Sequence, residues 1–189
     1  MIKLIIGLGN PGQEYEFTRH NIAWILFDQH PDIQNNFWKS KWKAEYTDIS
    51  VESEKRVFLK PMTFMNLSGE SVRPCSDFFK FKPDEILVVH DDLDLDFGTL
   101  TFKFGGGLAG HNGLKSISKH LGTNDYYRLR LGIGKPTRGD VSSWVLSSFN
   151  QVDIKILEKF MIGSTLALDD ALRLDFKKLQ TKYNKKSFH

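Results

Sequence analysis

The sequence predicts an α/β fold in a single domain that ends in a long amphipathic helix. Three observations lead there. Short apolar runs that stop at glycine or at a charged pair recur along the chain, with segments of helical spacing between them. No internal repeat, low-complexity stretch or linker divides the 189 residues, a length sufficient for one sizeable core. Near the end, Ile154, Leu157, Met161, Leu168, Leu172, Phe176 and Leu179 form a helical stripe.

Each element follows from its own pattern. Residues 3–7 are a short apolar run closed by glycine, which reads as a buried strand. Asn21 to Gln29 places Ile22, Ile25 and Leu26 at helical spacing. Residues 44–50 and 56–60 read as a hairpin, with Glu52, Ser53, Glu54 and Lys55 as its turn. Ser68 is placed to cap a helix running through Val72 to Phe79, and Pro74 falls early in it. Ile86–Val89 is a second buried strand ending at His90-Asp91. Leu100, Phe102 and Phe104 alternate with Thr101 and Lys103 as on a half-buried strand. A short helix follows Gly113, from Leu114 to Leu121. Leu129, Leu131 and Ile133 then alternate with Arg128 and Arg130, so both arginines leave one face of a strand.

Composition narrows the class. Apolar residues at 40% and aromatics at 13% are ordinary for a globular protein, and no apolar run is long enough to span a bilayer. Met1 to Ile6 runs straight into Gly7, Gly9 and Asn10 with no small-residue cleavage site, which reads as a strand and not a signal peptide. Cys75 is the only cysteine, so no internal disulfide can form and a reducing cytoplasm is expected. A net charge of +3 decides little, but its distribution is uneven. Bases alternate with aromatics in Trp38-Lys39-Ser40-Lys41-Trp42-Lys43, and Lys177, Lys178, Lys182, Lys185 and Lys186 crowd the C-terminus. Clustered lysines suit phosphates, though each cluster alone equally describes a solvated surface.

Gly7-Leu8-Gly9-Asn10-Pro11-Gly12 matches the dinucleotide-binding pattern G-x-G-x-x-G directly after a strand. The rest of that unit is missing. Its ribose-binding acid would have to be Asp28, which lies in a helical pattern too close to Gly12 for a helix, a turn and a strand. Glu14 and Glu16 would also repel a pyrophosphate. The turn is better suited to presenting Asn10 at a strand's C-terminal end, where open α/β sheets place ligands.

Other polar groups gather at similar places: Thr18-Arg19-His20-Asn21, Met65-Asn66-Leu67-Ser68-Gly69, His90-Asp91-Asp92 and Gly110-His111-Asn112-Gly113. Histidine, carboxylate and asparagines without a neighbouring Ser or Cys nucleophile point to hydrolysis by activated water. Histidine titrates near neutrality and can take water's proton. A carboxylate on its other nitrogen fixes the tautomer, and asparagine amides donate to an oxyanion without acquiring charge.

Jointly, these segments resemble a family. Gly7 to Gly12 with Tyr15 and Thr18 to Asn21 is similar to the opening signature of the bacterial peptidyl-tRNA hydrolases. Lys60-Pro61-Met62-Thr63-Phe64-Met65-Asn66-Leu67-Ser68-Gly69 resembles their second block. His90 to Asp94, Gly110 to Lys115, and Arg128 to Gly134 with Pro136 resemble the next three. Five ordered blocks cover the chain from Met1 to about Phe149. The resemblance implies a compact monomer with a mixed, twisted sheet flanked by helices. It also implies hydrolysis of the ester joining a peptide to the 3′ end of tRNA, without metal or other cofactor and without a membrane. Carried over by position, His20 is the base and Asp91 its orienting partner. Asn10, Asn66 and Asn112 hold substrate, water or oxyanion, and Tyr15 and Met65 shape the site. Lys103 and Arg130 contact the tRNA 5′-phosphate, with Arg130 preferred to Arg128 by spacing alone. Two positions depart from the family pattern: Ala23 replaces a glycine, and Leu108-Ala109 makes the fourth block less glycine-rich. The stretch between His30 and Phe37 is short.

Two competing classes fare worse. Asp92, Asp94 and Asp96 have calcium-loop spacing, but Phe97 stands where the loop needs glycine and Lys103 where it needs glutamate. His90 and His111 lack the i, i+4 spacing of a zinc helix, and Cys75 has no partner. A non-enzymatic RNA-binding module would account for the lysine clusters, but not for a histidine, a carboxylate and three asparagines at element ends.

Overall fold

The computed structural model describes residues 1–188. One eight-stranded mixed sheet organises it, in the order β2-β3-β4-β1-β5-β7-β6-β8. The strands are β1 (Leu4–Gly7), β2 (Lys39–Lys41), β3 (Ala44–Val51), β4 (Glu54–Pro61), β5 (Ile86–Asp92), β6 (Thr99–Phe104), β7 (Tyr127–Gly132) and β8 (Lys186–Ser187). β4, β1, β5 and β7 run parallel at the centre, and the outer pairs are antiparallel. Near-continuous apolar runs in β1 and β5 fit strands covered on both faces.

Helices α2 (Gly69–Phe79) and α3 (Asn112–Leu121) pack on the face carrying Leu4, Ile6, Val57 and Val88. The other face, with Ile5, Leu87, Val89 and Leu129, is covered by α1 (Ile22–Gln29), α5 (Gln151–Ala171) and α6 (Phe176–Lys182). The short α4 (Val141–Val145) lies beside the C-terminal ends of the parallel strands. Among the described residues, no helix is long and apolar enough to cross a membrane.

Three local expectations change. The C-terminal stripe is two helices: α5 ends at Ala171, and Asp175 starts α6 by accepting from the Lys178 amide at 3.0 Å. The bend lets Leu168, Leu172, Leu179 and Tyr183 all enter one core, which a straight helix beside the sheet could not do. Ser68 does not cap α2; its hydroxyl donates to the Met65 carbonyl at 2.8 Å. The Gly69 amide donates instead to Ser116 Oγ of α3 at 3.0 Å, and a Cβ on Gly69 would lie 2.3 Å from the Ser116 carbonyl. The β3–β4 turn is tighter than four residues. Glu52 and Ser53 alone make it, both left-handed at φ 52 and 66, the geometry that matches strand twist in a two-residue hairpin. The edge strands β2 and β8 and the five-residue α4 are too short to leave a periodic signal in the sequence.

Candidate active site

The parallel strands end together, and the polar segments converge there. β1 leads into Leu8-Gly9-Asn10, pressed against α1. Trp24 Nε1 donates to the Gly7 carbonyl at 2.8 Å, and its ring would meet a Cβ on Gly9 at 2.7 Å. Glycine is therefore needed at position 9 for close approach, not for a phosphate. Asn10 is buried and fully oriented. Its amide N–H donates to Asn21 Oδ1, and Asn21 Nδ2 donates back to the Asn10 carbonyl, both at 2.9 Å. Asn10 Oδ1 accepts from the Met65 amide at 2.8 Å, which leaves the Asn10 NH₂ as its free group.

Asp91, at the end of β5 and buried, holds two histidines on a single oxygen. His20 Nδ1 lies 2.8 Å and His111 Nε2 3.0 Å from its Oδ1. The histidines are not equivalent. His111 Nδ1 accepts from the Gly113 and Leu114 amides at 3.2 and 3.4 Å, capping α3, so its lone pair is occupied. His20 donates from Nδ1 and keeps Nε2 free, beside a cleft of about 920 Å³. Behind them, His90 Nδ1 donates to the Asp91 carbonyl at 2.7 Å.

Electrostatics follow this wiring. Burial pushes the Asp91 carboxyl up, but the charges and hydrogen bonds of His20 and His111 outweigh it and hold Asp91 below the usual carboxylate range. Burial lowers His20, while the Asp91 charge and hydrogen bond raise it further, for a net rise. Full burial and the neighbouring His111 take His90 down to about 3, so it stays neutral.

The cleft runs from His20 and Asp91 along the β5–β7–β6 face. Asn10, His20, Met65, Asn66, Asp91, Lys103, Asn112 and Arg130 all line it. Tyr15 does not; it packs edge-on against Phe64, which does, with ring centroids 6.5 Å apart. Arg128 and Arg130 leave the same strand face, opposite Lys103 and Thr101. Arg128 is buried, donating to the Gly105 and Gly107 carbonyls and fastening the loop before α3. Arg130 is bound only through Nε, to Asp92 at 2.7 Å, and Lys103 has no ion pair among the described residues. In that loop Ala109 sits at φ 48, the left-handed region glycine tolerates best, whereas Ala23 is simply buried core.

The donor atoms of His20, Asp91 and His111 lie within 4.8 Å of one another, as do those of His30, Asp32 and Asp169. The first set does not fit a metal. Ligation by His111 Nε2 would put a proton on Nδ1, facing the two amide N–H groups it now accepts from. In the second set, His30 Nδ1 likewise accepts from the Asp32 amide, at 3.3 Å. The acidic run is no calcium loop either, since Asp92 pairs with Arg130 and Asp94 with Lys135.

Position-by-position reasoning on the sequence passes over Asn21, which orients Asn10, and the capping role of His111. The signal for Asn21 was its place beside His20; its partner lies 11 residues away and is met only on folding.

Known proteins supply the remaining comparison. The peptidyl-tRNA hydrolase family profile matches residues 4–189. The peptidyl-tRNA hydrolase of Shouchella clausii is 42% identical over 187 residues, covering 97% of this chain and 100% of its own. That of Sulfurimonas denitrificans is 43% identical over 186 residues, covering 98% of each. The crystal structure of peptidyl-tRNA hydrolase from Acinetobacter baumannii superposes with a TM-score of 0.90 at 33% identity, covering 98% of this chain and 96% of that one. By the family profile over residues 4–189, by relatives above 40% identity across nearly the whole chain, and by the shared fold, the chain belongs to the peptidyl-tRNA hydrolase family.

Proposed function

We propose that the chain hydrolyses the ester between a peptide and the 3′ end of tRNA, with His20 as general base. His20 Nε2 takes a proton from water as the water oxygen attacks the ester carbonyl. Asp91 holds the tautomer and balances the imidazolium. The tetrahedral intermediate places negative charge on the former carbonyl oxygen, and the free amide hydrogens of Asn10 and Asn112 are suited to receive it. Collapse breaks the bond to the tRNA oxygen, which takes the proton back from His20, releasing peptide acid and free tRNA. Asn66, exposed at the cleft, meets the peptide backbone, and Met65 forms an apolar floor. Lys103 and the free guanidinium nitrogens of Arg130 receive the 5′-phosphate; Arg128 is already committed to backbone carbonyls.

One observation carries the choice of base: of the two histidines on Asp91 Oδ1, only His20 keeps an unoccupied ring nitrogen. The reading takes the enzyme to be a monomer acting in the cytoplasm, and a metal-free one because the His111 ring is already committed to two backbone amides. The test is peptide release from purified N-acetyl-aminoacyl-tRNA in EDTA, wild type against His20→Ala. Hydrolysis lost in the variant supports both base and chemistry. Chelator-dependent loss restored by metal would overturn the metal-free mechanism, and a folded but inactive wild type would return the RNA-binding alternative.

A further inference from the structure

Immediately before the base stands a buried cation that the chemistry above does not use. The Arg19 side chain is only 5% exposed. Its Nη1 donates to Ser147 Oγ at 2.9 Å, to the Ser148 carbonyl at 2.6 Å and to the Ser147 carbonyl at 3.3 Å. Its Nη2 pairs with Asp153 at 2.5 Å. The guanidinium also lies 4.0 Å from the Trp144 ring centroid and 5.1 Å from that of Phe149. The backbone repeats the link: the Arg19 amide donates to the Ser147 carbonyl at 3.0 Å, and Thr18 bridges Ser148.

What Arg19 holds is a wall of the cleft. Val141, Ser142, Val145 and Leu146, from α4 and its end, line the cleft that His20 faces. α4 has only five residues, too few to be stable alone. Trp144 ties it to the Gly134 carbonyl at 2.9 Å, and Asp140 caps it through the Ser143 amide. On its far side the connection to α5 rests on Arg19. Asp153 serves both partners, since it also accepts from the Asn150 amide in the α5 capping box.

We propose that Arg19 is a positioning residue, fastening the α4 wall to the turn that carries His20, so that substrate seated against the wall is held in register with the base. A guanidinium suits this task because its planar fork reaches two carbonyls and a carboxylate at once, which a compact ammonium cannot. The kinetic part rests on the hydrolase reading; the anchoring does not.

The experiment compares wild type with Arg19→Lys, Arg19→Met and Asp153→Asn in two measurements. Hydrogen exchange reads the amides of residues 141–148, and steady-state kinetics on N-acetyl-aminoacyl-tRNA separates KM from kcat. In Arg19→Lys those amides exchange faster, KM rises and kcat/KM falls by up to about 10²-fold, the loss that a misplacement of about 1 Å can carry. Arg19→Met loses more. Asp153→Asn shows the same signature more weakly, and its effect is not additive with Arg19→Lys. A purely architectural residue would lower the folded fraction, and so apparent kcat, with KM unchanged. That outcome, or unchanged exchange over residues 141–148 in Arg19→Lys, overturns the proposal. Should Arg19→Met fail to fold, the other two variants decide. Absence of hydrolysis by the wild type would overturn the functional reading instead, leaving the anchoring to stand or fall on exchange alone.

Discussion

The two ends of the cleft use charge in opposite ways. At the His20 end, the ionisable groups around Asp91 are paired or neutral: one carboxylate oxygen serves two histidines, and a third histidine supports the backbone behind. At the Lys103 end, cations outnumber their partners. Arg128 is absorbed by carbonyls, Arg130 is held by one nitrogen, and Lys103 is unpaired among the described residues. Hydrogen bonds from both histidines to one carboxylate oxygen fix one tautomer and one geometry, as proton transfer requires. An unpaired cation is available to an incoming phosphate, and its attraction is screened by salt.

Breaking the closed end brings the largest effect. His20→Ala lowers peptide release by about 10³- to 10⁴-fold, the upper part of the range for a general base, measured in single turnover. Equal rates in a folded variant would sink the assignment. Asp91→Asn costs less, about 10²- to 10³-fold, and also shifts the pH profile. A histidine base works when neutral, so on the proposed mechanism kcat/KM falls on the acid side below the His20 pKa, which stands above its ordinary value because Asp91 outweighs burial. With that charge removed, burial remains and acts to lower it, so the acid limb moves to lower pH. A limb that stays in place would assign the titration to another group.

The open end sharpens the contrast at lower magnitude. Lys103→Ala weakens peptidyl-tRNA binding and reduces the slope of log affinity against log salt by about one, while sparing small ester analogues. Equal loss on both substrates would contradict a phosphate role. Arg128→Met acts on the fold instead, destabilising it by roughly 1–3 kcal/mol in denaturant unfolding through the carbonyls left unpaired. If Arg128→Met mainly changed the salt slope, the roles of the two arginines would have to be exchanged. The smallest effect lies in the loop between the two ends. Ala109→Gly relieves a left-handed alanine and stabilises by up to about 1 kcal/mol, less what glycine loses in chain entropy.

The convergence of polar groups on one cleft is legible in the sequence where it depends on residue type and order. His20, Asp91, Asn10 and Asn112 stand at element ends that glycine turns and strand patterns locate. The alternation around Arg128 and Arg130 placed both on one face, as the register with Lys103 and Thr101 has it. What alternation could not do was separate them, because the carbonyls that capture Arg128 come from residues 21 and 23 positions away. Tyr15 illustrates the same limit: near His20 in sequence, it reaches the cleft only through Phe64.

By itself the sequence determined the α/β class, the central strands and the family, because period, turn chemistry and ordered motifs are local properties of the chain. Tertiary structure alone decided that the C-terminal stripe bends into two helices, that Ser116 and not Ser68 caps α2, and that one oxygen of Asp91 serves two histidines. It also decided that Arg19 ties the end of α4 and the start of α5 to the turn that carries His20. The bend has a local cap in Asp175 and is decided by the packing of Leu168, Leu172, Leu179 and Tyr183 into one core. The others depend on hydrogen-bond partners distant in sequence, and a buried donor or acceptor takes whichever partner the packing brings to it.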